Sequence, residues 1–227
     1  MGTLYLVRHA QASLGAADYD QLSELGRRQS IRLGEHFTQR GLQFDAVLTG
    51  TLRRHGQTLA GIRQGMGSAA EAWGDALLRP GLNEYDSAAL IAAIHPQTAP
   101  APDSPDSYRQ HFRLLREGLR QWMAGQTQPV GMPDYPEFVA GVQDTLDEVK
   151  EHYAGCNVLL LSSGGPIATA IGQILGTPPE TIVELNMRLR NSAISETTFN
   201  AKRHSLLSYN ALPHLEQASF ADWISYA

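Results

Sequence analysis

One cysteine, Cys156, stands among 227 residues. A disulfide framework within the chain and a cysteine-built metal cluster are both excluded. Positive charge is in deficit, with 18 lysines and arginines against 23 acidic residues and a net charge of -5. A general polyanion binder is therefore not expected, and nucleic acid is a poor partner. No apolar run approaches membrane-spanning length, so no membrane association is expected. No basic stretch leads into an apolar one behind Met1, and Leu6 stands where a myristoylation pattern needs serine or threonine. Repeats and low-complexity segments are missing too. The expectation is a cytoplasmic protein, and its length and 42% hydrophobic content suit one substantial core.

What is present is organised around Leu4-Tyr5-Leu6-Val7-Arg8-His9. The apolar run fits a buried parallel strand, and it ends in a cation and an imidazole. Ligands in open α/β sheets bind at strand ends. A neutral imidazole is a good nucleophile, and a guanidinium suits an oxygen-rich anion. The dipeptide alone fits a solvated strand end better.

Leu22-Ser23-Glu24-Leu25-Gly26 opens a helix, with Ser23 as its N-cap and Gly41 as its stop. Phe44–Thr49 reads as a second strand. A helix follows whose first turn carries Arg53, Arg54 and His55. Two arginines there oppose the helix dipole unless something negative binds. Pro80-Gly81 breaks the chain before Leu82-Asn83-Glu84. Glu84 is either an exposed loop carboxylate or a cleft carboxylate able to act as acid or base.

Residues 87–135 read as an inserted helical cap, with helices over Ser87–Ile94 and Tyr108–Met123 around a proline-rich stretch from Pro96 to Pro105. Phe112, Leu115, Leu119 and Trp122 share one face of the second helix. Phe138–Tyr153 resumes as an amphipathic helix. Asn157–Ser162 is the clearest buried strand, followed by Ser163-Gly164-Gly165 and then Pro166 at the expected first helical position. Pro178-Pro179 reads as a loop, and Asn191–Asn200 and Arg203–Asn210 as antiparallel edge strands. A nucleophile-elbow reading of Ser163 lacks its first glycine.

In order, these stretches resemble the histidine phosphatase superfamily, also called phosphoglycerate mutase-like. Leu6-Val7-Arg8-His9-Ala10-Gln11 resembles its opening strand and Arg-His motif, and Leu22–Gly26 its helix start. Leu52-Arg53-Arg54-His55-Gly56-Gln57-Thr58 resembles a segment that puts Arg54 rather than Arg53 at the phosphate. Leu82-Asn83-Glu84 resembles the segment with the proton-donating glutamate. The resemblance implies a single α/β domain over 1–227. That domain has three layers, a mostly parallel sheet with helices on both faces, and carries the inserted helical cap. It implies a phosphohydrolase acting on a phosphorylated small molecule or protein, without metal or other cofactor. His9 would become a phosphohistidine, Arg8 and Arg54 would hold the phosphoryl oxygens, and Glu84 would act as acid and base.

Two positions depart from the pattern. Ser163 stands where the family has its second histidine, just before Gly164. Three readings follow. Ser163 still touches the phosphate, beside Gly164, in an altered phosphatase. Another histidine (His55, His204 or His214) enters the pocket. Or the chain is a catalytically weak phosphate-binding or regulatory module. Gly15 stands where many members, mutases especially, have asparagine, and the mutases' Trp-Asn pair is absent, which argues for hydrolysis. Arg109, His111, Arg113 and Arg116 of the cap read as the solvated face of a helix. No motif speaks to oligomeric state.

Overall fold

The computed structural model describes residues 1–13, 19–96 and 104–226. Gly15 and most of the proline-rich stretch, 97–103, lie outside the described residues. Six strands form one sheet: β1 (Gly2–Arg8), β2 (Ala46–Thr49), β3 (Leu77–Leu78), β4 (Asn157–Ser162), β5 (Ile194–Phe199) and β6 (His204–Ala211). Their spatial order is β3-β2-β4-β1-β5-β6. The first four are parallel, and β5 and β6 add antiparallel to the edge beyond β1. This is the expected α/β architecture, with a mostly parallel sheet and an antiparallel margin.

The alternation along β1 shows why both faces are covered. Leu4 and Leu6 join Leu160 in packing on Val142, Leu146 and Val149 of α5 (Tyr135–His152) and Ile167 and Ile171 of α6 (Gly164–Leu175). Tyr5 and Val7 point the other way. They pack on Leu33 and Phe37 of α1 (Glu24–Gln39) and on Leu59 and Ile62 of α2 (Arg53–Met66). Truncating any one of these leucines or isoleucines to alanine costs about 2–5 kcal/mol. The α1–α2 contact is close because Gly34 lies against Ile62: a Cβ at Gly34 would fall 2.1 Å from the Ile62 carbonyl oxygen. That approach fixes the depth of α2, and with it the depth of the basic residues in its first turn.

The cap consists of α3 (Ser87–Ile94) and α4 (Pro105–Met123). Leu90, Ile91, Leu115, Leu119 and Trp122 bury against Tyr135 of α5 and Val183 of α7 (Pro179–Arg188). Among the described residues no helix is long and apolar enough to cross a membrane.

The structure corrects several sequence readings. Helix α7 replaces the loop expected at Pro178-Pro179: Pro178 caps it and Pro179 occupies its first turn, where a missing N–H does no harm. The same tolerance lets α4 start at Pro105, three residues earlier than expected. Helix α5 begins at Tyr135 rather than Phe138, capped by Asp134. Pro166 is the third residue of α6, not the first. Phe112 is 40% exposed and outside the packed face of α4.

Candidate active site

The sequence-predicted site residues converge at the C-terminal ends of β1, β2 and β4. Arg8 ends β1, and the His9 N–H donates to the Ser162 carbonyl at the end of β4 at 2.8 Å. Ser163 follows β4 directly. The first turn of α2, after β2, brings Arg54 and His55, and the loop after β3 brings Glu84. His9, Arg54, Ser163 and His55 are all buried.

His9 is held in one tautomer. Its Nδ1 lies 2.7 Å from the Ala10 carbonyl oxygen. A carbonyl only accepts, so Nδ1 carries the proton and Nε2 keeps its lone pair. Burial holds the ring well below the usual histidine range, helped by the charges of Arg8 and Arg54 and by His55. His9 is therefore neutral, with a bare Nε2 toward which Arg54 Nε donates at 3.2 Å. Position 10 is fixed in turn, since the Ala10 N–H donates to Thr58 Oγ1 at 3.1 Å and Thr58 donates to the Arg54 carbonyl at 2.7 Å.

Arg54 bridges three partners. Besides His9, Nη2 donates to Ser163 Oγ at 3.4 Å, and Nη1 pairs with Asp20 Oδ1 at 2.8 Å. Asp20 also accepts from the backbone N–H groups of Arg53 at 2.8 Å and Arg54 at 3.4 Å. The N-cap residue of α2, Leu52, offers no side-chain cap. Asp20 thus caps α2 from a distant loop and supplies the negative charge that two arginines in a first turn require. Sequence reasoning asked for that charge without naming Asp20.

Arg8 is fastened from behind. Nη1 donates to the carbonyls of Leu189 and Tyr226, the latter at 2.7 Å. Its Nε is buried with no hydrogen-bond partner among the described residues. An orphaned guanidinium donor of this kind costs free energy unless an acceptor arrives.

Glu84 faces the start of α6. Its carboxylate accepts from the Gly165 N–H at 3.0 Å and 3.2 Å. Burial raises its pKa above the usual 4.5, against the opposing pull of Arg54, the Gly165 N–H and Arg8. A buried carboxyl that keeps its proton to higher pH is suited to general acid work. Gly165 makes room for it, and Gly164 for Asn186. A Cβ on Gly165 would lie 2.3 Å from Glu84 Oε1, and one on Gly164 would lie 2.4 Å from Asn186 Oδ1.

Ser163 Oγ lies 2.7 Å from His55 Nε2. The rings of His55 and His9 are 5.7 Å apart. Of the three candidate histidines, His55 is the one that lies beside His9 and Ser163. His204 instead contacts the Leu146 carbonyl, and His214 contacts Ser192. The cap cations stay apart as a solvated face. Arg109 pairs with Asp106, Arg113 is exposed and Arg116 pairs with Glu184 of α7.

Comparison with known proteins bears on the family and the fold. The family model for the histidine phosphatase superfamily (branch 1) matches residues 4–212. Among solved structures, a phosphoserine phosphatase from Entamoeba histolytica in complex with 3-phosphoglyceric acid superposes with a TM-score of 0.65 at 16% identity. The match covers 95% of this chain and 100% of that one. YhfR from Bacillus stearothermophilus gives 0.68 at 16% identity, over 95% of this chain and 100% of that one. A mycobacterial glucosyl-3-phosphoglycerate phosphatase gives 0.62 at 20% identity, over 92% and 98%. A search of curated protein sequences returned no match. At these identities the structures speak for the fold, while the family match spans nearly the whole sequence. The chain belongs to the histidine phosphatase superfamily.

Proposed function

We propose that this protein is a phosphohydrolase that cleaves a phosphomonoester through a phosphohistidine on His9. The observation that carries this reading is the His9 tautomer: Nδ1–H is committed to the Ala10 carbonyl, and a bare Nε2 faces Arg54. In the first step Nε2 attacks phosphorus in line, the bond to the leaving oxygen breaks, and Glu84 gives that oxygen its proton. In the second, water attacks phosphorus, Glu84 takes the proton back, and the P–N bond breaks to release orthophosphate and free His9. Arg54 and the unpartnered Nε of Arg8 supply donors for the non-bridging oxygens, where charge develops in the transition state. The similar solved structures include phosphatases of a phosphorylated amino acid and of a phosphorylated sugar acid, which supports a phosphomonoester as the substrate class.

A second reading is a phosphate-binding module without turnover. It is favoured by the Arg54 contact, because the Arg54 N–H engages the lone pair that must attack. The test is a rapid quench with p-nitrophenyl phosphate and a panel of alkyl phosphates. The phosphatase reading expects an acid-labile phosphoryl adduct on the native protein and none on His9→Ala. Binding of orthophosphate with neither adduct nor release leaves the module.

A further inference from the structure

Arg8 ends β1 with a planar guanidinium, and both of its side-chain hydrogen bonds among the described residues leave from one nitrogen. Nη1 has two N–H groups, and it meets two carbonyls, those of Leu189 and Tyr226. Two acceptors on one nitrogen fix the plane of the whole group. What remains is the side-on edge, Nε with Nη2, whose parallel N–H pair matches two oxygens of one phosphoryl group. Nε is buried and has no hydrogen-bond partner among the described residues. Arg8 is also the group that solvent reaches most at these strand ends, being 9% exposed against 6% for Arg54, 2% for His9 and 0% for Ser163.

The Tyr226 carbonyl is in place because the segment around it is tied to the core, while the Tyr226 residue itself lies exposed. Gln29 of α1 is fully buried, and its Nε2 donates to the Trp223 carbonyl at 2.6 Å and to Ser225 Oγ at 3.0 Å. Its Oε1 accepts from the Gln11 N–H at 2.8 Å. Ser225 Oγ donates in turn to Asn191 Oδ1 at 2.9 Å, and the Ser225 carbonyl accepts from the Asn191 N–H at 2.9 Å. Asn191 is buried too, and its Nδ2 reaches the His9 carbonyl at 3.4 Å. These directions are forced by the backbone. The Gln11 N–H can only donate and the His9 carbonyl can only accept, which orients both amides and leaves the Ser225 proton one place to go. Gln29 and Asn191 thus each hold the 223–226 segment with one group and the turn after β1 with another.

We infer that the 223–226 segment is a positioning strap for Arg8: pinned through Ser225 to Gln29 and Asn191, it sets the Tyr226 carbonyl against Nη1 and so leaves the Nε–Nη2 edge for a bound phosphoryl group. Ser225, Gln29 and Asn191 are positioning residues that act through the guanidinium. Holding its plane in advance removes an ordering cost that each binding event would otherwise carry. The inference rests on the phosphate-binding role given to Arg8 above, which the phosphatase and phosphate-binding readings share, and not on turnover.

The test is orthophosphate affinity by isothermal titration calorimetry on the full chain, with Tm read in parallel. Ser225→Ala removes the hydroxyl that joins Gln29 to Asn191. It should weaken orthophosphate binding about three- to tenfold, the weight of one hydrogen bond in a binding constant. Ser225→Thr keeps a hydroxyl and should recover part of the loss. Arg8→Lys removes the fork, because an ammonium has no plane to orient. Ser225→Ala should therefore cause no further loss in the Arg8→Lys background, which separates an effect through Arg8 from a general loosening of the site. A crystal of the native protein with orthophosphate should show Nε and Nη2 on the phosphate and Nη1 still on the Leu189 and Tyr226 carbonyls. The inference is overturned if folded Ser225→Ala binds orthophosphate as tightly as the native protein, or more tightly, since the segment would then compete for the guanidinium. It is also overturned if the loss is the same in both backgrounds, if the phosphate takes Nη1 from Tyr226, or if the native protein binds no orthophosphate. Binding without adduct or release sinks the phosphatase reading alone, and the same affinities then decide the strap.

Discussion

The N–H of Gly165 donates to both oxygens of Glu84, at 3.0 Å and 3.2 Å, so the start of α6 holds the carboxyl from one side. A group held in this way can deliver a proton without first finding its position. Glu84→Gln keeps an oxygen for the Gly165 N–H and removes only the transferable proton. The expected result is a loss in kcat of about 10²–10⁴ on alkyl phosphates, whose leaving oxygen needs a proton. The loss should be much smaller on p-nitrophenyl phosphate, whose leaving group departs as a stable anion. Steady-state kinetics on the two substrate classes check this, and equal losses on both would remove Glu84 from the acid role.

The same carboxyl links activity and stability to pH. Burial raises the Glu84 pKa above 4.5 in the folded protein. Its favourable contribution to stability is therefore complete below the unfolded pKa and is lost as pH rises through the folded one. Glutamine mimics the protonated form at every pH. Glu84→Gln should accordingly match the native protein in thermal melts near pH 4 and exceed it at neutral pH. On alkyl phosphates, whose leaving oxygen needs the proton, the alkaline limb of the native kcat profile, where the acid form is lost, should be absent from the residual activity of the variant.

Gly165→Ala tests the space rather than the proton. The added Cβ would stand 2.3 Å from Glu84 Oε1 and 2.5 Å from Tyr85 Cε1. Tyr85 is tied to Asn186, whose Nδ2 donates to its hydroxyl at 2.6 Å, so the carboxyl is the side that gives way. The variant should lose activity on alkyl phosphates at least as severely as Glu84→Gln. Circular dichroism should show that it still folds.

Asp20→Ala removes the distant cap of α2. Arg53 and Arg54 would lose the acceptor for their N–H groups, and Leu52 has nothing to offer in its place. A lost cap costs about 0.5–2 kcal/mol. At about 2–4 °C per kcal/mol for a chain of this size, a fall of a few degrees in Tm is expected. An unchanged melt would mean that water caps the helix equally well.

How far the sequence could be read depended on how local each signal was. Strand β4 and helix α3 were legible to the residue, because an unbroken apolar run and a helix bounded by Asp86 are complete within their own segments. Helix α7 was not legible, because two prolines suggest a loop unless one knows that they fall at a helix start. His9 and Glu84 stand out in the sequence because one follows a strand and the other a breaker, whereas Arg54 is separated from Arg53 only by the family resemblance. Asp20 and the pairing of His55 with Ser163 escaped because their meaning is a distance between segments: 34 positions separate Asp20 from Arg54, and 108 separate His55 from Ser163. The first turn of α2 did announce an unmet need for negative charge, and that was the one local trace of Asp20.

The same pair decides what Ser163→His does, the substitution that the family resemblance suggests. Both residues are fully buried, and His55 Nε2 already lies 2.7 Å from the Ser163 hydroxyl. A second imidazole at position 163 would collide with the first and force one of them out of a packed site, at a typical cost of about 1–3 kcal/mol. Ser163→His alone should therefore lose both kcat and stability. Adding His55→Ala vacates the ring's volume. The double variant should regain most of the lost stability and surpass His55→Ala in kcat, since an imidazole would again stand beside the phosphoryl oxygens. If instead Ser163→His is faster than the native protein with His55 still present, then His55 does not occupy the place from which position 163 is served, and the pair is packing alone.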